Sequence, residues 1–194
     1  MSRKLCVRTT GDNSSKQCAA AIVGIVLLVV VAVPAWAQSK SQGPRLRLEL
    51  AGYRAFESDE ANGDYYLQGA AEVEFPVLKH TTLGLRVLPL FLYPEGADDA
   101  TVYGIAGGLT GRLYQDGENY SGLFAEVGAS ALWRMKEFKL DDSKVGFLGD
   151  CGIGYKFRNS GWHLAAKVEH ISNGGMGGKN GGISGLGLAA GYSF

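Results

Sequence analysis

A histidine and a serine stand two residues apart in the segment Glu169-His170-Ile171-Ser172-Asn173-Gly174-Gly175. The residues leading into it alternate apolar and polar, as a β-strand does. Alternate side chains of a strand share a face, so His170 and Ser172 point the same way, with Cα atoms roughly 6.5 Å apart. At that separation an imidazole reaches a hydroxyl. A hydroxyl is a weak nucleophile until a base removes its proton, and histidine is the usual base near neutral pH. The chemistry on offer is base-assisted attack by a hydroxyl. The same two residues would also suit a polar strand end at a membrane interface, and an H-x-S spacing alone does not separate these readings.

The elements that must position the pair are strands. Alternation at period 2 runs through most of the chain beyond residue 44, with no long helical periodicity. It predicts eight strands, at about 45–56, 64–76, 80–92, 101–114, 120–134, 145–158, 162–172 and 183–194. In the first, Leu46, Leu48 and Leu50 oppose Arg45, Arg47 and Glu49. In the third, Leu83, Leu85, Val87 and Phe91 oppose Thr82 and Arg86. In the seventh, Trp162, Leu164, Ala166 and Val168 oppose Lys167 and Glu169. Polar and glycine-rich segments such as 58–63, 115–119 and 136–144 separate the strands.

The chain begins with a different pattern. Arg3, Lys4, Arg8 and Lys16 form a basic stretch, Ala19 to Val33 is an uninterrupted apolar run, and Ala35-Trp36-Ala37 is a small-x-small end. This is the pattern of a secretion signal cleaved after Ala37, since the apolar run is short for a membrane span of about 20 residues. Cleavage would leave one domain, 38–194. The leader holds four of the 19 basic and one of the 19 acidic residues, so the remainder carries 15 against 18 and a net charge of −3. No basic patch argues for nucleic acid. Cys6 and Cys18 lie in the leader, and Cys151 alone supports neither a disulfide framework nor a cysteine metal cluster.

Clean alternation in an exported chain fits a soluble sandwich or lipocalin-like barrel. It also fits a transmembrane barrel with apolar side chains toward lipid. The strands have the length of a tilted span. The polar face carries opposite charges at depth (Glu126, Arg134, Asp150, Lys156, Lys167, Glu169) and many small residues, which suits a tight eight-stranded lumen. The chain ends on Tyr192-Ser193-Phe194, an aromatic close to an alternating last strand. The expected fold is therefore all-β, an eight-stranded antiparallel transmembrane β-barrel in which all backbone groups pair around a closed ring.

Parity then sets the face of the pair. His170 and Ser172 share the side of Leu164 and Val168, the lipid side, and Ser184 shares the side of Leu186 and Leu188. Residues 162–194 resemble the C-terminal region of the PagL-type lipid A 3-O-deacylases. The resemblance is carried by His170-Ile171-Ser172-Asn173 with Gly175, by Asn180-Gly181-Gly182-Ile183, and by a last strand ending in an aromatic residue. It implies an outer-membrane esterase with a Ser–His–acid triad on the outer wall. Ser172 would be the nucleophile and His170 the general base, with Asn173, Gly175 and Asn180 serving the oxyanion or substrate. One position departs from the pattern. The acid, a Glu or Asp, would fall fourteen residues after the histidine, where this chain has Ser184. A hydroxyl can accept the imidazole N–H but supplies no charge to the imidazolium. Glu169, Glu126 and Asp150 all point into the lumen by parity.

The expected substrate and partner is lipid A of lipopolysaccharide, met within the Gram-negative outer membrane, with a homodimer as a further arrangement. No cofactor or metal is expected. His80, His163 and His170 lack metal-ligand spacing, and Gly174 to Asn180 does not match a P-loop. The glycine-rich 174–182 segment is expected to let the chain turn and to admit an acyl chain. The competing reading is a non-catalytic outer-membrane barrel, structural or adhesive, that keeps the scaffold without a working triad.

Overall fold

The computed structural model describes residues 43–56, 63–95, 100–138, 141–176 and 178–194. The expected leader lies outside them. Eight strands run β1 (Arg45–Phe56), β2 (Tyr65–Leu78), β3 (Thr81–Glu95), β4 (Ala100–Asp116), β5 (Ser121–Arg134), β6 (Val145–Lys156), β7 (Trp162–Ser172) and β8 (Ile183–Ser193). Each pairs antiparallel with the next, and β1 pairs with β8 to close the ring. A closed ring leaves no sheet edge, so the ladder groups pair within the protein rather than with water. The expected strands match these closely. β3 runs past the expected end at residue 92, with Tyr93, Pro94 and Glu95 still paired to β4.

The outer wall is the apolar one. Leu85, Leu109, Ile153 and Leu188 are 58, 48, 70 and 74% exposed, whereas Arg47, Glu72, Glu126 and Lys167 on the opposite face are buried. In water this distribution would be upside down. It fits a wall facing hydrocarbon around a polar core.

One residue breaks the expected parity. Phe91 was expected beside Leu83, Leu85 and Val87 on the outer face, yet it is buried inside. A β-bulge between Leu88 and Phe91 is the cause. Pro89 and Leu90 are consecutive residues and both exposed, so the alternation slips by one and Phe91 turns inward.

The lumen is layered. Its middle holds an ion network. Arg112 binds Glu72 and donates to Glu126 at 2.7 Å, Lys167 pairs with Glu126 at 2.6 Å and with Glu49, and Arg86 pairs with Asp150 at 2.6 Å. Such charges are tolerable when buried only because each meets a partner. Space is tight enough that a Cβ on Gly128 would sit 2.9 Å from the Arg86 guanidinium. Aromatic layers close both ends. Tyr114, Tyr120 and Phe124 pack at one end, and Tyr53, Tyr66, Phe91, Tyr93 and Phe138 at the other. The first end carries the connections 79–80, 117–120 and 157–161. The second carries 57–64, 96–99, 135–144 and 173–182.

Candidate functional site

His170 and Ser172 end β7 at the long-loop end of the barrel. Burial alternates along β7 from exposed Trp162 to buried Ile171, and it places His170 exposed and Ser172 half-buried on the outer wall. The expected face is the observed one. Ile171 and its cross-strand partner Ile183 are buried on the inner side and brace this part of the wall from within.

Ser184 lies directly across from His170 in the β7–β8 ladder. Its Oγ is 3.0 Å from His170 Nδ1. The imidazole is also pressed against the β8 end. A Cβ added to Gly182 would stand 2.6 Å from His170 Cε1 and 2.9 Å from Nε2, so only glycine leaves the ring its place. The Ser184 hydroxyl can accept an N–H from His170 Nδ1 or donate to it. With a proton on Nδ1 donated to Ser184, Nε2 is the nitrogen that carries the lone pair of the neutral ring.

The row beyond belongs to Ser172. Its cross-strand partner on β6 is Phe147, an exposed outer-wall aromatic. The same ring packs over Gly174, where a Cβ would lie 3.2 Å from it, and Gly174 adopts φ +64°. A side chain there would meet both strain and the ring. Exposed Trp133, Met135, Val145 and Met176 extend the apolar surface at this end of the barrel. The hydroxyl thus stands at the edge of an apolar wall, where an acyl chain in the bilayer would lie.

Asn173 turns inward and is fully buried. Its Nδ2 donates to Asp141 Oδ1 at 2.8 Å and to the Lys179 carbonyl at 2.7 Å, and its Oδ1 accepts the Gly175 N–H at 2.8 Å. Of the groups the resemblance implied for the oxyanion or substrate, side-chain amides or nearby backbone N–H groups, the Asn173 side-chain amide is committed to holding the turn. Its backbone N–H, next in the chain after Ser172, donates to Asn180 Oδ1 at 3.1 Å.

Glu169 and Asp150 are inside, as parity requires. Glu169 accepts from Gln68 at 2.6 Å, and Asp150 from Arg86. His163 is an internal residue bonded to Glu49 at 3.2 Å, and His80 caps a turn against the Tyr114 carbonyl at 3.0 Å. Sequence reasoning missed Asp141 and Arg134, which meet the site through the 135–144 loop. Their spacing carries no motif, and the one signal was an acid in a loop beside a buried arginine. Among the described residues no cluster of His, Cys, Asp and Glu could hold a metal.

Residues 80–193 match the family model described as Lipid A 3-O-deacylase (PagL). No curated protein sequence matches closely enough to count as a relative. Among solved structures, the crystal structure of the outer membrane enzyme PagL superposes with a TM-score of 0.58 at 16% identity, covering 75% of this chain and 98% of that one. The N-terminal β-barrel domain of Pseudomonas aeruginosa OprF follows at TM-score 0.49 and 17% identity, covering 80% and 100%. At these identities the structural likeness is one of fold, that of outer-membrane barrels.

Proposed function

Starting from the membership of this chain in the PagL family of lipid A deacylases, we propose that it is an outer-membrane esterase that removes the 3-O-linked hydroxyacyl chain of lipid A. The observation that carries the reading is the outward-facing row of Ser172, His170 and Ser184, with Nδ1 and Oγ 3.0 Å apart on an apolar wall. Barrels of this kind carry short turns on the periplasmic side and long loops outside. The row then stands at the outer leaflet, with its substrate beside it rather than in solution.

Ser172 Oγ attacks the ester carbonyl as His170 Nε2 takes its proton. The resulting oxyanion is received at the 173–175 turn. A substrate oxygen that replaces Asn180 Oδ1 would take the Asn173 backbone N–H, the donor adjacent to the nucleophile. Asn173 and Gly175 keep that turn in shape. The tetrahedral species collapses, the lipid A hydroxyl leaves with the proton from Nε2, and Ser172 is left acylated. Water activated by His170 then releases the hydroxy fatty acid. Ser184 holds the imidazole in the base tautomer throughout, but it supplies no negative charge to the imidazolium. No metal or cofactor takes part.

Export follows from the leader, with cleavage after Ala37. One observation favours a second reading, a non-catalytic barrel: the position of the family's acid holds a neutral hydroxyl. Mass spectrometry of lipid A from cells expressing the protein decides. Loss of one hydroxyacyl chain in the wild type, absent in Ser172→Ala, supports the esterase. Intact lipid A with correctly folded wild type contradicts it.

A further inference from the structure

We propose that Asp141 is a positioning residue for the nucleophile, acting through Asn173; the inference rests on the esterase reading above. β5 ends in Arg134, which is completely buried. Its guanidinium lies 4.1 Å over the Phe138 ring, pairs with Asp141 Oδ2 at 2.6 Å and binds the Ser143 carbonyl. Phe138 in turn packs against Tyr93 and Phe91 in the aromatic layer of the barrel mouth, at ring separations of 5.0 and 6.2 Å. These contacts seat Phe138 and Asp141 in the barrel mouth.

Asp141 is thereby buried beside the end of β7. One oxygen meets Arg134. The other accepts the Ser143 N–H at 3.0 Å and the Asn173 side-chain amide at 2.8 Å. The Asp141 backbone also bridges Asn180. One residue therefore grips both sides of the 173–182 turn, through Asn173 at its start and Asn180 near its end. Asn173 directly follows Ser172, and its Oδ1 fixes the Gly175 N–H.

Without such a grip the end of β7 would run straight into two positive-φ glycines, Gly174 and Gly175, and would be free to fray. Asp141, whose ion partner is Arg134 at the end of β5, lies outside the strand ladders and the mid-barrel ion network. What it fixes is the backbone on either side of the nucleophile. Small displacements there matter, since a shift of about 1 Å in a reacting group can cost about 100-fold in rate.

The test uses full-length protein folded in detergent, with lipid A micelles as substrate and Ser172→Ala as the blank. Asp141→Ala should keep the heat-modifiable mobility of a folded barrel and bind substrate with KM within about twofold, while kcat falls about 100-fold. Asp141→Asn retains an acceptor for the Asn173 amide and should recover part of kcat. The double variant Asp141→Ala with Asn173→Ala should be no slower than the worse single, because the two residues act through one contact. Unchanged kcat in Asp141→Ala, or losses that multiply in the double variant, would overturn the inference. If Asp141→Ala does not fold, the pair Asp141→Ala with Arg134→Met removes the same contact without leaving a buried guanidinium unpaired. A loss in kcat alone supports the inference, and an unchanged kcat overturns it. A folded wild type no more active than Ser172→Ala overturns the esterase reading itself, and the inference with it.

Discussion

His170 Nδ1 and Ser184 Oγ lie 3.0 Å apart across directly opposed positions of β7 and β8. The hydroxyl stands where the related enzymes are expected to carry a carboxylate. It can hold the tautomer, and it cannot neutralise an imidazolium. Ser184→Ala should therefore lower turnover about 100-fold through loss of the ordered base. Ser184→Glu should raise turnover above the wild type about tenfold, the new carboxylate being paired with the imidazolium as it forms. Initial rates of fatty acid release from lipid A micelles check both.

Gly182 gives the imidazole its room. A methyl group there would stand 2.6 Å from His170 Cε1. Gly182→Ala should displace the ring and reduce activity about 100-fold without disturbing the barrel. Turnover measured beside the heat-modifiable shift separates the two effects. A Gly182→Ala protein of wild-type activity would show that the ring does not need its observed position.

Arg112 sits at the centre of the lumen between Glu72 and Glu126. Removing its charge leaves two buried carboxylates short of a partner. Arg112→Met should destabilise the barrel by about 3–5 kcal/mol. Urea unfolding in lipid vesicles reads this directly. Because the network is remote from Ser172, the folded fraction should keep its specific activity.

The outer wall makes the opposite demand. Leu109 is exposed near the middle of β4. Leu109→Arg should cost about 2–4 kcal/mol in a bilayer, the penalty for a cation facing lipid near mid-depth. A substitution without effect in vesicles would contradict the membrane-spanning reading of the wall.

The strands were legible in the sequence because burial in a barrel repeats every second residue. The apolar faces of β1 and β7 could be assigned from Leu46, Leu48 and Leu50, and from Trp162, Leu164 and Val168. The side of the wall on which His170, Ser172 and Ser184 stand follows from the same alternation. Phe91 was not legible, since a bulge at Pro89–Leu90 leaves no mark in the alternation before it. The Asp141–Asn173 contact was not legible either. It joins residues 32 apart through a loop folded by an arginine–aromatic contact, and no local periodicity encodes that. Asn173 and Gly175 could be picked out as residues of the turn that follows Ser172. That the Asn173 side chain is taken up by Asp141, Lys179 and Gly175 required the three-dimensional arrangement.

In the proposed reaction Ser172 is a nucleophile activated by His170. That role is tested most directly by the intact mass of the folded protein after reaction with a long-chain fluorophosphonate, a reagent that captures activated serines. One phosphonyl adduct is expected, mapped to Ser172, formed by the wild type and lost in His170→Ala. An unmodified wild type, an adduct on another residue, or undiminished labelling of His170→Ala would contradict it.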